Sequence, residues 1–302
     1  MRASHERLVF PAYYIELVES LIRARQGDLA QIVSRCGLTP AQLQQRDQPL
    51  TLAQFQALLQ LGLEHGLPGE PLFLQAMRHL PVTAHGLVGM AAMTADTLNE
   101  ALDVALHYFP LLMPALELYR ETVGNETQVV IQRHHDFGAP LNALLTELVV
   151  GSLNRMGEFA SAPQLRAHGQ RFSMKVQFTH ACPGDAAAYD AFFGQPVVFG
   201  APVNKFIIAR SVLRQPLLTR NRTTRQALEA TLDRQLQALP QQMQMTQRVR
   251  RLLAQAIARG HLPNAEEVAS ELAMSVRTLS RRLREEGTTL LAITEAVRIE
   301  RA

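Results

Sequence analysis

Two short segments, 264–272 and 276–286, separated by a three-residue break, constrain this chain more than any other stretch. Asn264 stands where a helix would begin, and Glu267 follows three residues later. That is the spacing of a capping box, in which each side chain satisfies a backbone N–H of the other residue. Val268, Ala269 and Leu272 then fall on one side of a short helix. Ala273-Met274-Ser275 makes a tight turn, and Ser275 is placed to cap a second helix over Val276 to Glu286. Gly287 ends it, since a residue without Cβ takes the left-handed conformation at little steric cost.

The second helix has two faces. Val276, Leu279 and Leu283 recur at spacings of three and four and are expected to pack on the first helix. Arg277, Ser280, Arg281 and Arg284 recur at similar spacing on another face. A helix with an aliphatic inner stripe and an Arg-rich outer stripe suits the major groove of DNA, where guanidinium forks match guanine edges and phosphates. Arg277 and Arg281 are the expected base contacts, and Arg282 and Arg284 the expected phosphate contacts. Thr278 and Thr288, near the two helix ends, add phosphate contacts on this reading.

Charge distribution points the same way. From Thr246 onward there are ten Arg and seven Glu, so ten minus seven gives +3, equal to the net charge of the whole chain. The rest is neutral on balance.

The runs Glu267-Val268-Ala269, Met274 to Leu283 and Glu286-Gly287-Thr288 resemble the first helix-turn-helix of the AraC/XylS family of bacterial regulators. By that resemblance Arg277, Ser280 and Arg281 hold the base-reading positions. Ala273 departs from the Gly that the family often has in the turn. Val297 to Ala302 resembles the start of the helix that joins the family's two helix-turn-helix units. The resemblance therefore implies a second unit beyond residue 302, and a chain truncated before it, with weaker DNA binding and a shallower salt slope. It further implies promoter DNA and RNA polymerase as partners, a homodimer, a small-molecule effector, and activation more often than repression.

Upstream, periodicity predicts helices over Tyr14–Arg25, Leu52–Leu63, Thr97–Leu112 and Leu141–Phe159. Strands are predicted over Leu116–Val123 and Thr127–Gln132, joined across Gly124-Asn125, and over Phe172–Phe178, Val197–Phe199 and Phe206–Ile208. Gly86 to Gly89, Thr97 to Leu102, Val176 to His180 and Phe193 to Phe199 resemble the ornithine-utilisation branch of the same family, whose first domain is not a cupin barrel. The expected fold is an α+β effector-binding and dimerisation domain over 1–216. A helical linker over 217–245 and an all-α DNA-binding domain over 246–302 follow. Leu228, Leu232, Leu236 and Leu239 are spaced four, four and three, which fits either a coiled-coil dimer seam or a helix packed on its own domain.

Other function classes find little support. The chain has no run of eighteen apolar residues, and its two cysteines, Cys36 and Cys182, stand alone, so a cytoplasmic protein without disulfides is expected. No nucleophile elbow, phosphate loop or zinc-protease motif is present, so no enzymatic activity and no cofactor are expected. His134-His135-Asp136 invites a metal reading, but neighbours on a strand point to opposite faces, and surface residues at a strand end are expected instead. His180 and Cys182 are expected to be structural. Met90, Met93 and Met113 with Tyr108 and Phe109 fit either plain core or the lining of a flexible apolar pocket. Two alternatives remain open: a regulator controlled without an effector, and a catalytic or haem-type sensing first domain.

Overall fold

The computed structural model describes residues 8–45, 48–80, 82–167, 172–238, 245–258, 261–272 and 274–299. They divide into two compact units: a larger one over Val9–Leu236, and a smaller one from Gln237 onward to which Leu8 is also assigned.

The larger unit opens with β1 (Val9–Phe10), α1 (Tyr13–Ala24), α2 (Ala30–Cys36), α3 (Pro40–Gln45), β2 (Leu50–Thr51), α4 (Leu52–Glu64) and α5 (Leu72–His79). β1 and β2 pair antiparallel, which brings Phe10 beside α4, where it stacks on Phe55 at 3.9 Å between ring centroids. The predicted stripe of α1, Ile15, Val18, Leu21 and Ile22, is buried. α4 starts at a capping box: Thr51 Oγ1 accepts from the Gln54 N–H, and Gln54 Oε1 accepts from the Thr51 N–H.

Next come α6 (Gly86–Met93), α7 (Leu98–Leu112), β3 (Leu116–Val123), β4 (Glu126–Arg133), α8 (Ala139–Ala167), β5 (Lys175–Gln177), α9 (Ala186–Phe193), β6 (Val197–Val198), β7 (Asn204–Ala209), α10 (Arg210–Leu213) and α11 (Arg222–Ala238). Five strands form one sheet in the order β3-β4-β7-β5-β6, antiparallel except for β5 and β6. The β3–β4 hairpin turns at Gly124, whose φ of 56° matches the right-handed twist of the strands it joins. The predicted strand over 172–178 shrinks to three paired residues, which pair antiparallel with β7 on one side and parallel with β6 on the other. α8 outruns its predicted end at Phe159, since Ala160 and Ser161 continue its buried stripe while Phe159 itself is exposed.

The leucines of α11 are occupied within the chain. Leu232 is 1% exposed against Val88, Ala92 and Tyr108, with Leu228 and Leu236 packed on the same cluster. Tyr108 donates to Asp233 at 2.6 Å beside them. The dimer seam considered for these residues therefore has its apolar face covered by α6 and α7, and Leu239 lies outside the described residues. The expected linker over 217–245 also divides differently: residues up to Leu236 belong to the larger unit. Leu217 and Asn221 precede the helix, because their N–H groups bond to Asp96 and Thr94 rather than to a helical turn.

α8 passes close to its neighbours at two glycines. A Cβ at Gly157 would lie so close to the ring of buried Phe172 that the ring or the helix would have to shift. Gly157→Ala is therefore expected to destabilise the larger unit by about 1–3 kcal/mol through overpacking, despite Ala being the better helix former by about 1 kcal/mol. Urea denaturation checks this; unchanged or raised stability would contradict the packing.

Candidate nucleic-acid interface

The smaller unit contains α12 (Met245–Ala258), α13 (Ala265–Glu271), α14 (Val276–Glu285) and α15 (Leu290–Ile299). Its core draws on all four: Val249 and Leu253 from α12, Val268 and Ala269 from α13, Leu279 and Leu283 from α14, Ile293 and Val297 from α15. Leu272 and Met274, on either side of the turn, are partly buried against it. Val276 departs from the expected stripe and is 36% exposed. It is the first residue of α14, and side chains lean toward the N-terminus of their helix, so its methyls project past the helix end rather than onto α13.

Each end of the pair is closed as the sequence requires. Asn264 Oδ1 accepts from the N–H groups of Glu266 and Glu267 at 2.9 Å, and Glu267 Oε2 accepts from the Asn264 N–H at 2.8 Å. Hydrogen bonding to that N–H and the adjacent His261 hold the Glu267 carboxyl below its ordinary range. Ser275 Oγ accepts from the Thr278 N–H at 3.2 Å and lies 2.9 Å from the Thr278 hydroxyl. At the other end Gly287, with φ 77°, donates to the Arg284 carbonyl, and the Thr288 N–H donates to that of Leu283. This is a Schellman closure, which satisfies two of the last carbonyls of α14. The turn residue Ala273 lies outside the described residues.

With Leu279 and Leu283 held inward, the rest of α14 is turned to solvent. Arg277, Arg281, Arg282 and Arg284 are exposed, and Thr278, Ser280 and Thr288 are half-buried. Arg281 pairs with Glu285 at 3.4 Å, both side chains more than half exposed. Such an exposed pair contributes little to stability, so the guanidinium is readily exchanged onto another anion.

Glu286 has a structural role that its place in the motif did not disclose. Its carboxylate accepts from the N–H groups of Met245 and Thr246 at 2.7 Å and from the Thr246 hydroxyl at 2.5 Å. It caps α12 from the end of α14, opposite the positive end of that helix's dipole. The apolar spacing of Met245, Val249 and Leu253 was the available signal for α12 as part of this core.

The other tempting residues do not assemble a metal site. His134 Nε2 lies 3.0 Å from Glu117 Oε2 with a largely buried side chain, which corrects the expected surface position. The ring of His135 packs against Phe137 instead. His180 stacks on Phe178, and Cys182 Sγ donates to the Gly184 carbonyl. Among the described residues no group of three or more His, Cys, Asp or Glu could hold a metal ion, and no helix is long and apolar enough to cross a membrane.

A capped helix-turn-helix with an arginine face, following a larger α+β unit, defines the architecture of a DNA-binding regulator. Residues 27–217, more than half of the chain, match the model for the N-terminal arabinose-binding domain of AraC transcription regulators. The chain is 30% identical over 234 residues to the Ornithine utilization regulator of Pseudomonas aeruginosa, covering 77% of this chain and 66% of that protein. It is 29% identical over 272 residues to the HTH-type transcriptional regulator VirS of Mycobacterium tuberculosis, covering 88% and 76% respectively. The crystal structure of transcriptional regulator CdpR from Pseudomonas aeruginosa shares the fold, with a TM-score of 0.50 at 19% identity over 96% of this chain and 84% of that one. The chain belongs to the AraC family of DNA-binding transcription regulators.

The Glu286 bridge generates a stability prediction. Glu286→Ala should destabilise the smaller unit by about 1–2 kcal/mol, the usual range for losing a helix cap, whereas Glu285→Ala next to it should change stability by under about 0.5 kcal/mol. Denaturant titration of the full chain distinguishes the two; equal effects would mean that the bridge contributes nothing.

Proposed function

We propose that the protein controls transcription at promoter DNA by laying α14 in the major groove. Arg277, Ser280 and Arg281 meet base edges, and Arg282, Arg284 and Thr288 meet phosphates. The sidedness of α14 carries this reading: two leucines at 1% exposure fix one face, and four arginines are exposed on the rest. The phosphate contact assigned to Thr278 is made by the Ser275–Thr278 hydroxyl pair, at the helix N-terminus where the dipole favours an anion.

Family membership supports further parts of the reading: an effector taken by the larger unit, a homodimer, contact with RNA polymerase, and activation as the usual sense. The packing of Leu232 on α6 and α7 favours a helix packed on its own domain over a dimer seam for the leucines of α11. An apolar cavity inside the larger unit favours effector control over regulation by abundance alone. The names of the matching domain and of one relative put forward two polar effectors to weigh against that cavity, L-arabinose and L-ornithine. For haem-type sensing one observation speaks, a buried unpartnered nitrogen on His85. Against it, the cavity is lined by no Lys or Arg among the described residues that would pair with haem propionates.

Binding sites selected from random duplex DNA by the full chain provide the test. Arg281→Ala should cut the preference for a selected site over scrambled DNA about tenfold or more, the scale of a lost bidentate base contact. Arg284→Ala should weaken both about equally and lower the salt slope by about one. Undiminished discrimination by Arg281→Ala would remove the base-reading assignment.

A further inference from the structure

Within the larger unit α1, α6, α7 and α8 line a narrow cavity of about 40 Å³ that is partly open to solvent. A second, of about 50 Å³, adjoins it and shares Ala105, Leu153 and Met156 as common walls. Both are narrow slots. Among the described residues neither is lined by a single Asp, Glu, Lys or Arg. The polar groups on the first are Tyr13, Tyr14, Ser152 and His85.

These polar groups are not equivalent. The Tyr13 and Tyr14 rings stack on each other at 4.3 Å between centroids, and burial holds both phenols neutral by pushing their pKa values up. His85 is different. Its residue as a whole is half-buried, yet its Nδ1 is shielded from solvent and has no hydrogen-bond partner among the described residues. Burial lowers its pKa to about 4, so the imidazole is neutral at ordinary pH. A buried polar atom left unpaired is costly, and a ligand group placed opposite it would recover that cost.

We propose that this cavity binds an uncharged, largely apolar small molecule whose one hydrogen-bonding group pairs with His85 Nδ1. The inference rests on the reading that the larger unit takes an effector, and it assigns that effector's chemical class. A pentose would bury several hydroxyls against Phe109, Leu148 and Met113, where few partners exist. A zwitterionic amino acid would bury charges with no counter-charge on any wall. An apolar body loses nothing there, and Met113 and Met156 are flexible enough to let a narrow slot widen around it. Val88 and Ala105 line the cavity and also belong to the cluster that buries Leu232 of α11. A ligand that spreads α6 from α7 therefore disturbs the seat of the last helix before the chain passes to the DNA-binding unit.

The test uses the full chain with 2-naphthol and with naphthalene, which has the same apolar body and no hydroxyl, and with L-arabinose and L-ornithine as polar probes. Saturable 2-naphthol binding and a raised Tm are expected, with no Tm shift from arabinose or ornithine. His85→Phe should weaken 2-naphthol about fivefold, the worth of one hydrogen bond, and leave naphthalene within about twofold. Ala105→Phe, filling the shared wall, should abolish binding of both; if it fails to fold by circular dichroism, the His85→Phe comparison decides alone. No saturable 2-naphthol binding, or equal loss of both probes in His85→Phe, would overturn the proposal. If arabinose or ornithine stabilises the chain and 2-naphthol does not, the apolar class fails while effector control stands. If 2-naphthol binds as expected and leaves DNA affinity unchanged, the site stands and that compound's effect on regulation fails.

Discussion

Leu279 and Leu283 are buried to 1% against side chains from α12, α13 and α15, and their burial sets the rotation of α14 about its own axis. At about 1.5–3 kcal/mol each, two such side chains outweigh the exposed Arg281–Glu285 pair, which contributes well under about 1 kcal/mol. The arginine face is thus a consequence of core packing and owes little to its own interactions. The caps at Asn264 and Ser275 and the closure at Gly287 fix where each helix begins and ends. Glu286 then ties the end of α14 to the start of α12, so the four helices share one register.

Much of this was legible in the sequence because it is local. The capping box at Asn264 and Glu267, Ser275 as N-cap and Gly287 as terminator each depend on residues within four positions, and all three stand where the spacing put them. Val276 was misjudged because angular position on a helix says nothing about how far the partner helix extends. The hairpin at Gly124 was legible for the same local reason, whereas the sheet order depends on β7 inserting between β4 and β5, a pairing no short window contains.

Long-range packing also decided α11 and the cavity. Leucines four apart fit a partner helix in another subunit as well as one in the same chain, and the choice came from α6 and α7. Of the residues weighed for a flexible pocket, Met113 and Phe109 line the first cavity and Met93 the second, while Met90 is exposed and Tyr108 bonds to Asp233. His85 carried no sequence signal. Its significance lies in a nitrogen without a partner, which only the folded surroundings reveal.

The central claim is that α14 reads DNA from the major groove through guanidinium groups. Methylation interference on a site selected by the full chain tests it most directly, because guanine N7 lies in the major groove and adenine N3 in the minor groove. Methylation at N7 of one or more guanines within the site is expected to block binding, with adenine N3 methylation there having little effect. Binding that tolerates N7 methylation throughout but is lost on N3 methylation would contradict it.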